Sequence, residues 1–422
     1  MVGFLTLFVL LAIGSPIAFA ILLAIVSYLG QTPFSMSLVS QRIFAGMDSF
    51  AILAIPLFVL AGELMNESGI TGRIIKFANA LVGHMKAGLA QVNIWASVIF
   101  AGLSGSAVAD TSALGRIFIP EMEKDGYPRD FAAALTAASS VIGPMIPPSI
   151  PVIIYALITS GVSVPALFLA GVAPGILLAI GLSVYVRYYA GHYAPLQRKL
   201  SARERFKAFV DAWIPLFMPV FIVGSILTGV VTPTEAAALA AGYALVAGMF
   251  ILRSLKLHQL PKIFVRAMRD SSIILIIIAV VAAANWLLTF SRVPQNISAL
   301  VLDQISSPWA FLLLVNGILL IVGLFLEGIA AMLILLPILH PIAMSLGIDP
   351  THFGIVVIFN LMIGLVTPPM GICLFVSNSI ANVGMGAISR RIMPLFLVEL
   401  VVLAIITFIP QTVTFLPRLF GY

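Results

Sequence analysis

Apolar runs recur along this chain from residue 2 to residue 416 with no long polar segment between them. A helix that crosses a ~30 Å hydrocarbon core needs about 20 apolar residues. Residues 2–29, 48–65, 166–190, 212–230, 233–252, 269–290 and 391–416 meet that length and are predicted as ordinary spans. Two further stretches, 88–119 and 308–340, carry Gly and polar residues near their middles and are too short for two full crossings. Each reads as a re-entrant helical hairpin that stops part-way across. The stretches 131–160 and 353–380 are long enough to span, but Pro147-Pro148 and Pro368-Pro369 interrupt them. Each reads as a helix broken at its centre.

Composition agrees. The chain is 61% hydrophobic and 9% charged, where a soluble domain carries roughly 45–50% apolar and about 25% charged residues. A single polytopic membrane domain over 1–422 follows, with the lipid bilayer as its solvent. The lone cysteine, Cys373, excludes a disulfide framework and a Cys-based metal cluster. The net charge of +6 is not a nucleic-acid footprint, because Lys and Arg are confined to short loops between apolar segments. With the N-terminus in the cytoplasm, eighteen of the 22 basic residues fall in cytoplasmic loops; Arg42, Arg292 and Arg418 fall outside, and Arg116 falls within the membrane. That count holds equally for hairpins and for paired spans. Met1-Val2-Gly3-Phe4 lacks the basic stretch of a signal peptide, so the first segment is expected to stay as a helix.

An offset of 221 positions aligns Gly102-Leu103 with Gly323-Leu324, Pro120 with Pro341, Ile142-Gly143 with Ile363-Gly364, and Pro147-Pro148 with Pro368-Pro369. One offset therefore carries a hairpin and a broken helix together. In the orientation above the first hairpin enters from the cytoplasm and the second from outside, so the repeats are inverted. Inverted repeats with discontinuous helices are a signature of secondary transporters.

The breaks suggest chemistry. Pro147 and Pro148 carry no N–H, so the carbonyls of Gly143 and Pro144 lose their helical donors. Carbonyls bared at membrane depth need a partner, and an alkali cation is one; Ser149, with Ser104 or Ser106 from the hairpin, could complete its oxygen shell. Gly364, Leu365, Val366 and Thr367 repeat the arrangement, with Asn360 and Ser377 nearby. The alternative is a proline kink satisfied by neighbouring hydroxyls, but two matched breaks, each paired with a hairpin, favour two related cation sites.

The first hairpin tip, Gly102 to Ser112, supplies small residues and hydroxyls, and the second, Gly323 to Gly328, supplies Glu327. Helix N-termini at paired tips suit an anion between them, and a carboxylate fits. Charges within apolar segments are functional candidates by default. Ser106, Asp110, Arg292 and Glu327 are accordingly the candidate substrate contacts; Arg292 could fork-bind a carboxylate or serve as an interfacial anchor. Asp110 and Arg116, six apart, do not share a helix face and need separate partners. Glu235, in Thr232-Pro233-Thr234-Glu235, is either a helix cap or a functional acid. Glu63 and Glu399 lie toward segment ends and read as structural. The histidines, at 84, 192, 258, 340 and 352, mostly fall in loops or at segment ends, and no metal-ligand spacing is present.

Four motifs in this order, Gly102-Leu103-Ser104-Gly105-Ser106-Ala107-Val108-Ala109-Asp110, Gly143-Pro144-Met145-Ile146-Pro147-Pro148-Ser149, Thr232-Pro233-Thr234-Glu235 and Gly364-Leu365-Val366-Thr367-Pro368-Pro369, resemble the large membrane subunit of tripartite ATP-independent periplasmic (TRAP) transporters. The similarity runs over almost the whole chain. It implies sodium-driven import of an organic acid, commonly sialic acid or a C4-dicarboxylate, across the bacterial inner membrane. It also implies a periplasmic substrate-binding protein and a small four-helix membrane subunit as a separate chain. The fold class it implies is an all-α polytopic membrane protein of the elevator type, its hairpins and broken helices moving against a scaffold. Its inverted repeats would be 1–210 and 211–422. By matching motifs, Ser104, Ser106, Gly143 and Ser149 would belong to one Na+ site and Gly328, Val366 and Thr367 to the other, with Asp110 and Glu327 near them or the substrate.

Three rivals remain. A sodium-coupled carboxylate carrier without a binding protein would show similar hairpins. Gly102-Leu103-Ser104-Gly105 matches the Gly-x-Ser-Gly of intramembrane serine proteases, but no His lies in the middle of a predicted span to act as base. ATP-driven transport lacks even a Gly-Lys dipeptide for a phosphate loop. The chain is therefore expected to be a secondary transporter and not an enzyme.

Overall fold

The computed structural model describes residues 2–31, 34–159, 161–193, 198–305 and 307–422; Met1 and Ser160, which closes the first broken stretch, lie outside these. Among the described residues every regular element is helical, and six helices are long and apolar enough to cross a membrane.

The first expected span, 2–29, is two helices, α1 (Val2–Ala12) and α2 (Ile17–Leu29). Gly14 takes φ +80° between them and Pro16 precedes α2, so the chain reverses within an unbroken apolar run. The two pack antiparallel: a Cβ at Gly3 would lie 3.1 Å from the Ala24 carbonyl and 3.2 Å from Tyr28 Cβ. α3 (Ser37–Met47), a 3-10 turn over Phe50–Leu53, α4 (Ala54–Glu67) and α5 (Ile70–Val82) follow. Arg73 and Lys76, expected in a loop, ride on α5, which buries Ile70, Ile74 and Ala78 on one face.

The first hairpin is α6 (Gly88–Ser104) and α7 (Ala107–Lys124), and the first broken helix is α8 (Arg129–Ser140) and α9 (Ile150–Ile158). α10 (Val164–Tyr189) matches its expected span. α11 (Ala202–Asp211) turns by 62° into α12 (Trp213–Leu227), and α13 (Pro233–Val246) ends in a π turn over Ala247–Ile251. α14 (Leu260–Phe290) starts nine residues before the expected span and is followed by α15 (Val293–Gln304). The second hairpin is α16 (Pro308–Gly323) and α17 (Gly328–Ser345), and the second broken helix is α18 (Pro350–Gly364) and α19 (Ile372–Ala381). The last expected span, 391–416, is α20 (Met385–Phe408), a break at Ile409-Pro410, and α21 (Gln411–Leu419).

Both hairpins are longer than the 88–119 and 308–340 expected. Pro120 and Pro341 do not end their helices but lie inside α7 and α17, and α17 alone is long enough to cross. The register of 221 positions reappears in the element boundaries. Displaced by it, Ala107–Lys124 becomes Gly328–Ser345, the extent of α17, and Val164, the start of α10, becomes Met385, the start of α20. Each break holds a cis peptide, Pro147-Pro148 or Pro368-Pro369. Packing is reciprocal: α19 lies on α7 and α8, and α9 lies on α17 and α18. The core is centred there, with α8 buried from Phe131 to Ser140 and α18 from His352 to Gly364.

Around this core α4 packs on α13 and α14, and α3 on α14. Segments bearing the basic residues meet one another. Arg73 donates to the Asp211 carbonyl at 3.2 Å, Ser254 to that of Ser68 at 2.7 Å, and Arg391 to Asp130 at 2.9 Å. Gly3, by contrast, sits on Tyr28, whose hydroxyl is 3.1 Å from Ser291 Oγ at the far end of α14.

Candidate functional site

At the first hairpin tip Gly105 takes φ +59° and closes α6, while Ser106 is extended and caps α7 by accepting from the Ala109 N–H at 3.4 Å. This turn folds Ser104 back onto Asp110, to which its hydroxyl donates a short hydrogen bond. Asp110 is wholly buried, and its Oδ2 has no hydrogen-bond partner among the described residues. That oxygen lies against Gly143 of the first break. The tip also rests on the break itself: a Cβ at Gly105 would lie 2.6 Å from the Pro148 carbonyl and 3.4 Å from Ser149 Cα. Ser104, Ser106, Asp110, Gly143 and Ser149 therefore form one neighbourhood. The Ser149 hydroxyl donates to the Pro144 carbonyl and its oxygen accepts from Val152 N–H, so the kink is in part satisfied by its own serine.

The second tip uses the same plan with different chemistry. Gly323 stacks on Gly364, whose Cβ would lie 2.9 Å from Gly323 Cα, and Gly328 faces Leu361 and Met362. Val366 and Thr367 lie in the break just beyond; the Thr367 hydroxyl donates to the Ile363 carbonyl at 2.8 Å. Glu327 caps α17, accepting from the Ala330 N–H at 3.1 Å. The positive end of α17, expected to face an anionic ligand, is thus already met by the chain's own carboxylate.

A cavity of about 700 Å³ joins the tips. Ser104, Ser106 and Ser112 line it from the first hairpin, Glu327 from the second, Glu63 and Asn66 from α4, and Asp270 from α14. Asp110 stands behind this wall and not on it. Arg292 is not brought to the cavity: it is exposed, with φ +52°, at the start of α15. Asn66 and Asp270 escape the sequence reading, although an acid at the edge of a span is a signal. Glu63, read as structural, lines the cavity and lies 3.8 Å from Arg266, which also pairs with Glu67.

Two other acids separate cleanly. Glu235 is a cap, accepting from Thr232 N–H at 2.8 Å in a reciprocal capping box. Glu399, placed toward a segment end by sequence, lies near the middle of α20, fully buried. His340 lies inside α17, not at a segment end, and its ring meets Tyr155 and Phe353; the Ser104 hydroxyl is bonded to a carboxylate. A nucleophilic serine activated by histidine is not what this arrangement provides.

Two helical hairpins seated on two broken helices, around a largely apolar cavity into which Ser104, Ser106, Glu63, Asp270 and Glu327 bring the polar groups, define a multi-pass membrane transporter. Similarity to a solved structure agrees at the level of fold: the YdaH transporter of Alcanivorax borkumensis superposes with a TM-score of 0.61 at 14% identity, over 90% of this chain and 87% of that one. Residues 4–412 match the family described as tripartite ATP-independent periplasmic transporter, DctM component, and the chain belongs to that family. It is 40% identical over 416 residues to the sialic acid TRAP transporter large permease protein SiaM of Vibrio cholerae, covering 98% of this chain and 97% of that one. It is also 40% identical over 391 residues to the C4-dicarboxylate TRAP transporter large permease protein DctM of Pseudomonas aeruginosa, covering 92% and 91%. It is a multi-pass protein of the bacterial inner membrane, and a transporter rather than an enzyme.

Proposed function

We propose that this chain imports an organic acid, sialic acid or a C4-dicarboxylate, in symport with Na+. A periplasmic binding protein delivers the acid and a small four-helix membrane subunit completes the complex. The observation that carries this reading is the convergence of both hairpin tips on one cavity, with each tip seated on a break. Sodium belongs beside the breaks. Asp110 Oδ2 is a buried oxygen next to Gly143 that has no hydrogen-bond partner among the described residues, which suits a cation, and Ser104, Ser106 and Ser149 supply oxygens around it. Gly328, Val366 and Thr367 occupy the matching place in the second half. Cation binding there draws tip and break together and preorganises the anion site, where Ser106 presents a hydroxyl. Binding both ligands in one state makes their affinities reciprocal.

The halves are inverted repeats in this reading, supported by the 221-residue register and the reciprocal packing of α9 and α19. Hairpins and broken helices move as a unit against α4 and α14, the elevator step. The end that gathers Arg73, Lys86 and Arg391 faces the cytoplasm. The cytoplasmic N-terminus expected above requires 2–29 to cross once. With α1 and α2 folded as a hairpin, Gly3 joins Tyr28, Ser291 and Arg292 at the outer end.

The test is radiolabelled uptake of sialic acid and of succinate into proteoliposomes holding this chain and its small subunit, with and without binding protein and an inward sodium gradient. Uptake that needs both additions supports the reading. Sodium-driven uptake without the binding protein indicates a stand-alone carrier, and unchanged velocity without sodium removes the coupling.

A further inference from the structure

We propose that Glu399 is a proton-binding site, separate from the sodium and anion sites, and that import therefore carries a proton dependence of its own. The inference rests on the import reading above but not on its sodium sites.

The buried face of α20 is a stripe of Ile388, Ile392, Leu395, Val402, Leu403 and Ile406, ending at Thr407, and Glu399 sits in its centre. The residue is wholly buried, and neither carboxylate oxygen has a hydrogen-bond partner among the described residues. An ionised carboxylate in that setting lacks both solvent and counter-charge and is costly to hold. Packing does not ask for an acid there. Displaced by 221 positions, Glu399 falls on Leu178 of α10, which is equally buried on that helix's own apolar stripe. The matched helix thus fills the place with hydrocarbon, and an acid kept within a span marks an ion pathway.

A proton suits the site better than a metal ion. On the buried face of α20 the only other polar side chain is Thr407, whose hydroxyl is taken up by the Leu403 carbonyl and Asn316, and the described residues hold no group of three acids, histidines or cysteines fit for a metal. A proton needs only the carboxyl: it forms an O–H bond on one oxygen, and its release to water on the inner side belongs to a state of the cycle in which Glu399 is no longer sealed, because in the packing seen here the ionised form is costly to hold.

The charged and titratable groups on the elements packed against α20 are these, with Arg187 and Tyr188 of α10 exposed. From α19 the facing group is Cys373, which is within electrostatic reach of both Glu399 and Asp110 and lies beside the hydroxyls of Thr111 and Ser140. α8 brings Arg129 and Asp130 at its start; Asp130 pairs with Arg391, two turns before Glu399, and Tyr189 of α10 accepts from that same arginine, with Tyr185 stacked on Tyr189. α18 brings His352 to the Ile406 carbonyl, and Arg418 of α21 is exposed. Because α20 packs on α8 and α19, a proton on Glu399 rides on the helices that flank both breaks.

The experiment uses the reconstituted complex with substrate-loaded binding protein, at a fixed sodium gradient. A pH step of one unit, inside alkaline, should raise the steady-state accumulation reached by wild type up to about tenfold, the drive of one coupled proton. Glu399→Gln should keep sodium-driven uptake and lose the response to pH. In parallel, infrared spectra of wild type at neutral pH should show a protonated-carboxyl C=O stretch that is missing from Glu399→Gln and from Glu399→Leu, the latter copying the leucine at position 178. An unchanged pH response in the variant, no response in wild type, or no difference between the infrared spectra overturns the proposal. Loss of sodium dependence with the proton response intact would sink the sodium sites and leave this one standing.

Discussion

Asp110 and Gly143 are fitted to each other: a β-carbon built at residue 143 would lie 3.1 Å from Asp110 Cγ and collide with Oδ2. The hairpin tip and the break meet at this point. Gly143→Ala must either displace the carboxylate from Ser104 or push the break outward, an overpacking cost of about 1–3 kcal/mol. Uptake by Gly143→Ala should fall at least about tenfold, with a lowered melting temperature. Adding Asp110→Ala should restore the melting temperature by removing the collision. Uptake should stay low in the double variant; recovered transport would show that the carboxylate is not needed.

Asp110→Asn keeps the shape and the Ser104 contact while removing the charge. If a cation sits beside the break, half-maximal sodium concentration for uptake should rise about tenfold or more, because an amide oxygen replaces a charged ligand. Saturating sodium should recover part of the velocity. A sodium titration superposable on that of wild type would separate Asp110 from cation binding.

The hairpins and breaks are legible in the sequence because proline pairs and clustered Gly and Ser stand out against hydrocarbon. The reversal between α1 and α2 is not, since Gly14-Ser15-Pro16 is short and a hydropathy sum passes over it. The hairpins are also underestimated, since the expected ends at 119 and 340 fall just before Pro120 and Pro341, which the interior of α7 and α17 accommodates. Amphipathic α5 and α11 stay hidden when apolar length, and not periodicity, locates the helices. Within the site, Ser104, Ser106 and Gly143 follow from local motifs. Asn66 and Asp270 reach the cavity only because α4 and α14, some two hundred residues apart, pack together. Glu399 is misplaced by sequence for a simpler reason: α20 starts at Met385, six residues before the expected span.

Glu235 offers a control. Its carboxylate holds the Thr232 N–H and hydroxyl, and the side chain is exposed. Exposed substitutions away from a site shift stability little, and Gln retains the acceptor oxygen of the capping box. Glu235→Gln should leave uptake within about twofold of wild type. A collapse of transport at normal expression would move this acid from helix cap to functional group.

The orientation of the α1–α2 hairpin decides whether the basic end is cytoplasmic. Gly3 rests on Tyr28 and Tyr28 meets Ser291, so residue 2 shares an end with the start of α15, while Arg198 belongs to the basic segments. In a Cys373→Ser background the chain carries no other thiol, so single cysteines report their own side. Val2→Cys should react with an impermeant maleimide in right-side-out vesicles and Arg198→Cys only in inverted ones. Both residues are exposed, so access is set by the membrane and not by packing. Labelling of both from the same side would break the hairpin arrangement. Reversed labelling would keep the hairpin and place the basic loops outside, against the charge rule that orients short loops.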